Sequence, residues 1–237
     1  MKKAIVVGGT SGIGKALVEL LLEQNYKVGL SGIERDDLSS LKDKNPQHLI
    51  IRFIDCGKEN CSGEINNLVN ELGGMDLLVF SAGIGHLNKD IGYTVENPAN
   101  KVNVLGCTEV VDWGYRYFFK QGSGHLVGIS SVAGLFGFRT TPAYTAAKGY
   151  QINYLEALRQ KAHRSKLPLY VTDIRPGFVD TEMTSDKKKF WSTSTHHAAQ
   201  LIYKAILHKK GIAYVKPRWW IVGFAVKLVP NWLRSRL

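Results

Sequence analysis

Short apolar runs alternate along the chain with longer stretches in which apolar residues recur every three to four positions. KKAIVVG, near the start, is a β-branched run that gives way to glycines and then to the helical pattern GKALVELLLEQN. The same alternation continues through YKVGLS and RDDLSSLKDK, then HLIIRFID and NCSGEINNLVNEL. MDLLVFSAG is followed by a long helical stretch from about Val95 to Lys120, and GHLVGISS by PAYTAAKGYQINYLEALRQKAH. PLYVTDIRPG, THHAAQLIYKAILHK and the short run GIAYV complete the series. Period-two or continuous apolar runs predict strands and 3.6-residue periodicity predicts helices. Strands that are apolar almost throughout and separated by helices predict an α/β fold. We expect a doubly wound parallel sheet of about seven strands, with helices on both faces. No repeat or linker interrupts the pattern, so residues 1–237 read as one domain, with 217–237 a Trp-rich basic tail.

In an open parallel sheet, ligands bind beyond the C-terminal ends of the strands. The chemically suggestive residues fall there. A glycine turn follows the first strand, SAG the fourth, two serines the fifth and RPG the sixth, and Tyr144 opens the helix after the fifth. The turn GGTSGIGK places Gly8, Gly12 and Gly14 in a G-x-x-x-G-x-G pattern. Glycine there permits close approach of backbone to a pyrophosphate, and the following helix N-terminus presents free N–H groups. The spacing and ending of a P-loop are absent. Tyr144 and Lys148 are four residues apart, on one helix face. An ammonium beside a phenol favours phenolate, and a phenol so tuned can give or take a proton. The competing reading is a packed tyrosine and a solvated lysine.

Composition narrows the classes. The net charge of +11, from 31 Lys and Arg against 20 Asp and Glu, favours anionic ligands, acidic partners or an anionic membrane surface. The densest basic run, SDKKKFW, lies in no nucleic-acid motif, and no nucleic-acid partner is expected. Three cysteines without paired spacing read as reduced core residues, and no stretch resembles a signal peptide or a spanning helix. A cytoplasmic protein, with or without peripheral membrane contact, is the expectation. His196 and His197 are neighbours rather than a helical pair, and no metal site is expected.

GGTSGIG, Asp55, SAG, Asn103 in VNVLG, Ser131, YTAAK and RPGFVDT occur in the order found in the short-chain dehydrogenases/reductases. From about residue 3 to residue 215 the chain resembles that family, which implies a Rossmann-like fold and an NAD(P)-dependent oxidoreductase acting on a small carbonyl or alcohol substrate. By this resemblance Tyr144 would be the general acid in reduction and the base in oxidation. Lys148 would lower its pKa and hold the nicotinamide ribose, and Ser131 would hydrogen-bond the substrate oxygen, Ser130 being structural. Asn103 would kink the long helix and hold a water leading protons to Lys148. The cofactor would lie along Gly8, Thr10, Ser11, Gly12, Ile13 and Gly14, with Asp55 and Cys56 at the adenine. Ser81, Ala82 and Gly83 would sit beside its ribose. Pro176, Gly177 and Val179 would flank the nicotinamide, with Thr181 near its carboxamide. Phe80-Ser81 stands where the family usually carries Asn-Asn.

The position where NAD-using relatives carry aspartate reads Gly32, followed by Ile33, while Glu34 and Arg35 pull in opposite directions. NADP is therefore favoured over NAD. After Thr181 a short segment leads to the next helix, which predicts a short substrate lid. Val110, Trp113, Tyr117, Ile152 and Leu155 are expected to offer apolar surface for a homodimer or tetramer. In the tail, Trp219, Val222, Val226 and Val229 fall on one helical stripe, which reads as packing over the pocket or a partner subunit, or as an interfacial helix on an anionic membrane. The alternatives in function are reduction of a ketoacyl group on an acidic carrier protein and a non-catalytic dinucleotide sensor.

Overall fold

The computed structural model describes residues 1–33, 38–88, 90–181 and 191–234. Seven strands, β1 (Lys3–Val7), β2 (Lys27–Gly32), β3 (Leu49–Phe53), β4 (Leu77–Phe80), β5 (Gly124–Ile129), β6 (Leu169–Arg175) and β7 (Ile212–Tyr214), form one sheet. Their order is β3-β2-β1-β4-β5-β6-β7, and every neighbouring pair is parallel. The direction of winding reverses between β1 and β4, which opens a crevice at their C-terminal ends. Both faces of the central strands are covered. Ala4 and Val6 pack with α1 (Gly12–Glu23) and α7 (Thr195–Leu207), while Ile5 and Val7 pack with α3 (Cys61–Leu72), α5 (Cys107–Gln121) and α6 (Pro142–Ser165). This two-sided burial is why these strands read as continuous apolar runs.

The long helix expected from about Val95 to Lys120 is divided. α4 (Tyr93–Asn100) leads into a π-helical turn, Lys101–Gly106, before α5. Gly106 lies against the Cys56 carbonyl, where a side chain would collide. The wide turn brings the Asn103 carbonyl within reach of Gln151 on α6.

Three of the residues expected to offer oligomer surface face inward instead. Val110 and Leu155 are buried in the core against the sheet and Ile152 is buried as well, because the apolar stripe of an amphipathic helix packs on the core first. The tail forms α8 (Arg218–Leu228) and α9 (Asn231–Arg234). The predicted stripe ends early. Val229 is extended (φ −67°, ψ 126°), as suits a residue preceding proline, here Pro230. Among the described residues no helix is long and apolar enough to cross a membrane.

Candidate active site

A cleft of about 430 Å³ opens beyond the ends of β1, β4, β5 and β6. Gly8, Thr10, Ser11, Gly12 and Ile13 line its floor after β1, and Asp55 and Cys56 lie after β3. Ser81, Ala82 and Gly83 after β4 form one side. Pro176, Gly177, Val179 and Thr181 after β6 form the other, and Ser131, Tyr144 and Lys148 close the inner end. Gly14 and Asn103 stand behind this lining: Gly14 packs under the Gly8 carbonyl, and Asn103 is fully buried beside Gly83.

The glycine turn is shaped by contact. Gly8 has φ +79°, and a Cβ there would come within 2.8 Å of the Ser81 carbonyl carbon. A side chain would therefore be strained and would also push the first and fourth strand ends apart. α1 starts in the cleft with no side-chain cap from Ser11 and no acidic residue in its first turn. Its first N–H groups and the positive end of its dipole are left to an anion.

At the inner end, the Tyr144 ring lies on Gly85, so close that a Cβ there would be 2.8 Å from a ring carbon. Burial pushes the Tyr144 phenol up, and a hydrogen bond with the Ser131 hydroxyl pulls the other way. Lys148 Nζ is 5.8 Å from the ring centroid, and its protons point to the Ile129 carbonyl (3.0 Å) and Gln151 Oε1 (2.8 Å). Burial brings the lysine itself down to about 8, with the Asp173 carboxylate opposing. Its ammonium therefore gives up a proton more readily than that of an exposed lysine.

The two serines have different partners. Ser131 Oγ faces the cleft, accepting from Ala133 N–H (3.1 Å) and reaching the Pro176 carbonyl at 3.4 Å. The Ser130 hydroxyl donates to Asp173 and to the Ile174 carbonyl (3.1 Å), tying the end of β5 to β6. Asp55 Oδ1 accepts from Gly57 N–H at 2.8 Å. Glu34 and Arg35, most of the basic run 185–191 and the lid segment after Thr181 lie outside the described residues.

The family model described as short chain dehydrogenase matches residues 2–190. The chain belongs to that family. Other proteins resemble it over most of its length. An uncharacterized oxidoreductase of Myxococcus xanthus is 29% identical over 244 residues, 97% of this chain and 93% of its own. ElxO with NADP bound matches with TM-score 0.80 at 21% identity, covering 92% of this chain and 98% of ElxO. A short-chain dehydrogenase/reductase from Burkholderia phymatum in complex with NAD has TM-score 0.81 at 18% identity, with 94% and 91% covered. Likenesses at this identity concern the fold.

Two features of this short-chain dehydrogenase escaped sequence reasoning. Gln151 is buried between Lys148 and Asn103, and its position one helical turn after Lys148 is the signal that would have found it. Asp173 and Arg175 form a buried ion pair at 2.6 Å behind the serines, and Arg175 also donates to Tyr214 Oη. Their i, i+2 spacing on a strand places both on one face.

Proposed function

We propose that the protein is an NAD(P)-dependent oxidoreductase that interconverts a ketone or aldehyde with an alcohol. One observation carries this reading: Ser131, Tyr144 and Lys148 converge on a cleft whose floor is the Gly8–Gly14 turn. The uncapped start of α1 suits a pyrophosphate, and the glycine floor leaves room for a dinucleotide backbone. When bound, the nicotinamide supplies the hydride in reduction and takes it in oxidation. Ser131 then donates to the carbonyl oxygen, stabilising the charge that builds there. Tyr144 gives that oxygen its proton, or removes it in the reverse direction, and Lys148 replenishes the phenol. Gly32 and Ile33 line the cleft at the end of β2 without a carboxylate, which supports NADP over NAD. A turnover screen of carbonyl substrates with NADPH and NADH tests the reading, and the absence of turnover on any of them while dinucleotide binds would favour the sensor instead.

The outer sides of α5 and α6 support a homo-oligomer. Leu105, in the π turn just before α5, is 65% exposed, and Tyr115 with Phe119 on α5 and Tyr150 with Tyr154 on α6 make stacked pairs. Sedimentation that showed a monomer alone at micromolar concentration would overturn this. Trp219 supports the packing reading of the tail: it covers Gly177 at the cleft rim and touches the rings of Phe178 and Trp191. Trp220, Ile221 and Leu228 face outward on α8, which fits a partner subunit or an anionic membrane surface.

A further inference from the structure

Behind the cleft, Lys148 is held by protein. Its Nζ donates to Gln151 Oε1 at 2.8 Å, and Nε2 of the same amide donates to the Asn103 carbonyl at 2.8 Å. Lys148, Gln151 and Asn103 are all buried. The orientation of the amide follows from its neighbours: an ammonium can only donate, so it faces the oxygen, and a carbonyl can only accept, so it faces the NH₂. Asn103 is locked in turn. Its Oδ1 accepts from Ile84 N–H at 3.0 Å, and its Nδ2 donates to the Ile84 carbonyl at 2.6 Å. An unbroken line of hydrogen bonds therefore joins the lysine to the π turn and to the loop after β4.

The family resemblance implies a water between Asn103 and Lys148. In this chain a side-chain amide spans that interval. We propose that Gln151 is a positioning residue of the active site, a tether that fixes the Lys148 ammonium to the Asn103 carbonyl and takes the place of solvent between them. The inference rests on the reading of Tyr144 and Lys148 as the reacting pair.

The tether also stabilises the charged lysine. Other groups facing Lys148 are Tyr144 on α6, Cys107 at the start of α5 and Asp173 on β6. Burial pushes the Cys107 thiol up to about 12, which leaves it neutral, and Asp173 is bound to Arg175 and Ser130. In Gln151→Leu the ammonium loses an acceptor and its titration midpoint should fall. In Gln151→Glu a carboxylate faces it and the midpoint should rise.

Protein labelled with ¹³C at lysine Cε, with the Lys148 signal assigned by Lys148→Arg, reads this midpoint without any substrate. The expected displacement is about one pH unit, tenfold in proton affinity, in opposite directions for the two variants. Midpoints unmoved in both folded variants would overturn the proposal, and either variant alone decides if the other does not fold. In the unmutated protein the Gln151 side-chain amide protons should exchange slowly, and exchange at the rate of an exposed glutamine would also overturn it. Tyr144→Phe separates this inference from the reading beneath it. If that variant keeps turnover while the midpoints move, the reacting pair is wrong and the tether stands. If it loses turnover while the midpoints stay, the tether alone fails.

Discussion

Replacing Arg175 by methionine isolates the buried ion pair that braces the cleft. Arg175 Nε and Asp173 Oδ2 are 2.6 Å apart, with side chains 9% and 0% exposed. At an effective dielectric constant of about 20, unit charges at that separation attract by about 6 kcal/mol. Desolvation cancels much of this, so the intact pair adds little over apolar side chains of similar size. Removing one partner has a different result. Asp173 is left buried with the Ser130 hydroxyl still donating to it, and about 3–5 kcal/mol of stability should be lost. Urea unfolding at neutral pH should show a midpoint lower by about 1–2 M with little change in slope. The Asp173→Asn/Arg175→Met double variant should recover more than half of the loss. The pH dependence has a definite sign. Burial already raises the Asp173 pKa, and losing the guanidinium raises it further. A raised folded-state pKa favours the folded protein below it, so the deficit should shrink as pH falls through that value. An Arg175→Met protein that loses under about 1 kcal/mol, the worth of an exposed pair, would refute the reasoning.

Tyr144→Phe should cut turnover by at least about 100-fold, the usual scale of general acid–base catalysis, and leave dinucleotide affinity unchanged. Its ring keeps the seat on Gly85, and a variant with near-normal kcat on a confirmed substrate would remove Tyr144 from the chemistry. NADPH should bind more tightly than NADH when each is titrated at matched salt through the fluorescence of Trp219 and Trp191 at the cleft rim, and a preference for NADH would mean that an acid reaches the ribose. His125, buried beside Thr172 and brought down to about 4 by burial, stays neutral while the unfolded chain takes up a proton. Stability present above about pH 6.5 should therefore be lost on acidification towards 4, and the His125→Gln protein should lack that slope in denaturant titrations. Truncation before Arg218 should spare dinucleotide binding but reduce substrate affinity or solubility. Flotation with anionic vesicles, released at high salt, would assign the outward face of α8 to a membrane, and indifference to vesicles with loss of oligomer would assign it to a partner.

The features legible before any fold were local ones. Strand and helix periodicities are written residue by residue, so the alternation, the parallel sheet and the glycine turn could be read directly. Tyr144 and Lys148 share a helix face by spacing alone, and the family motifs named the cleft residues that the fold then gathered. What escaped depended on partners distant in sequence. Gln151 looks like any polar helix residue until the π turn, 48 positions earlier, presents a carbonyl to it. Asp173 and Arg175 look like strand-end charges until β5 and β7 close over them. Val110, Ile152 and Leu155 read as surface from sequence because periodicity shows that a helix has an apolar face, not which neighbour that face will meet. The titration of Tyr144 is a similar case. Spacing sets how near two groups lie, but the direction of a pKa shift depends on burial and on where each proton is already bound, and those are properties of the packed whole.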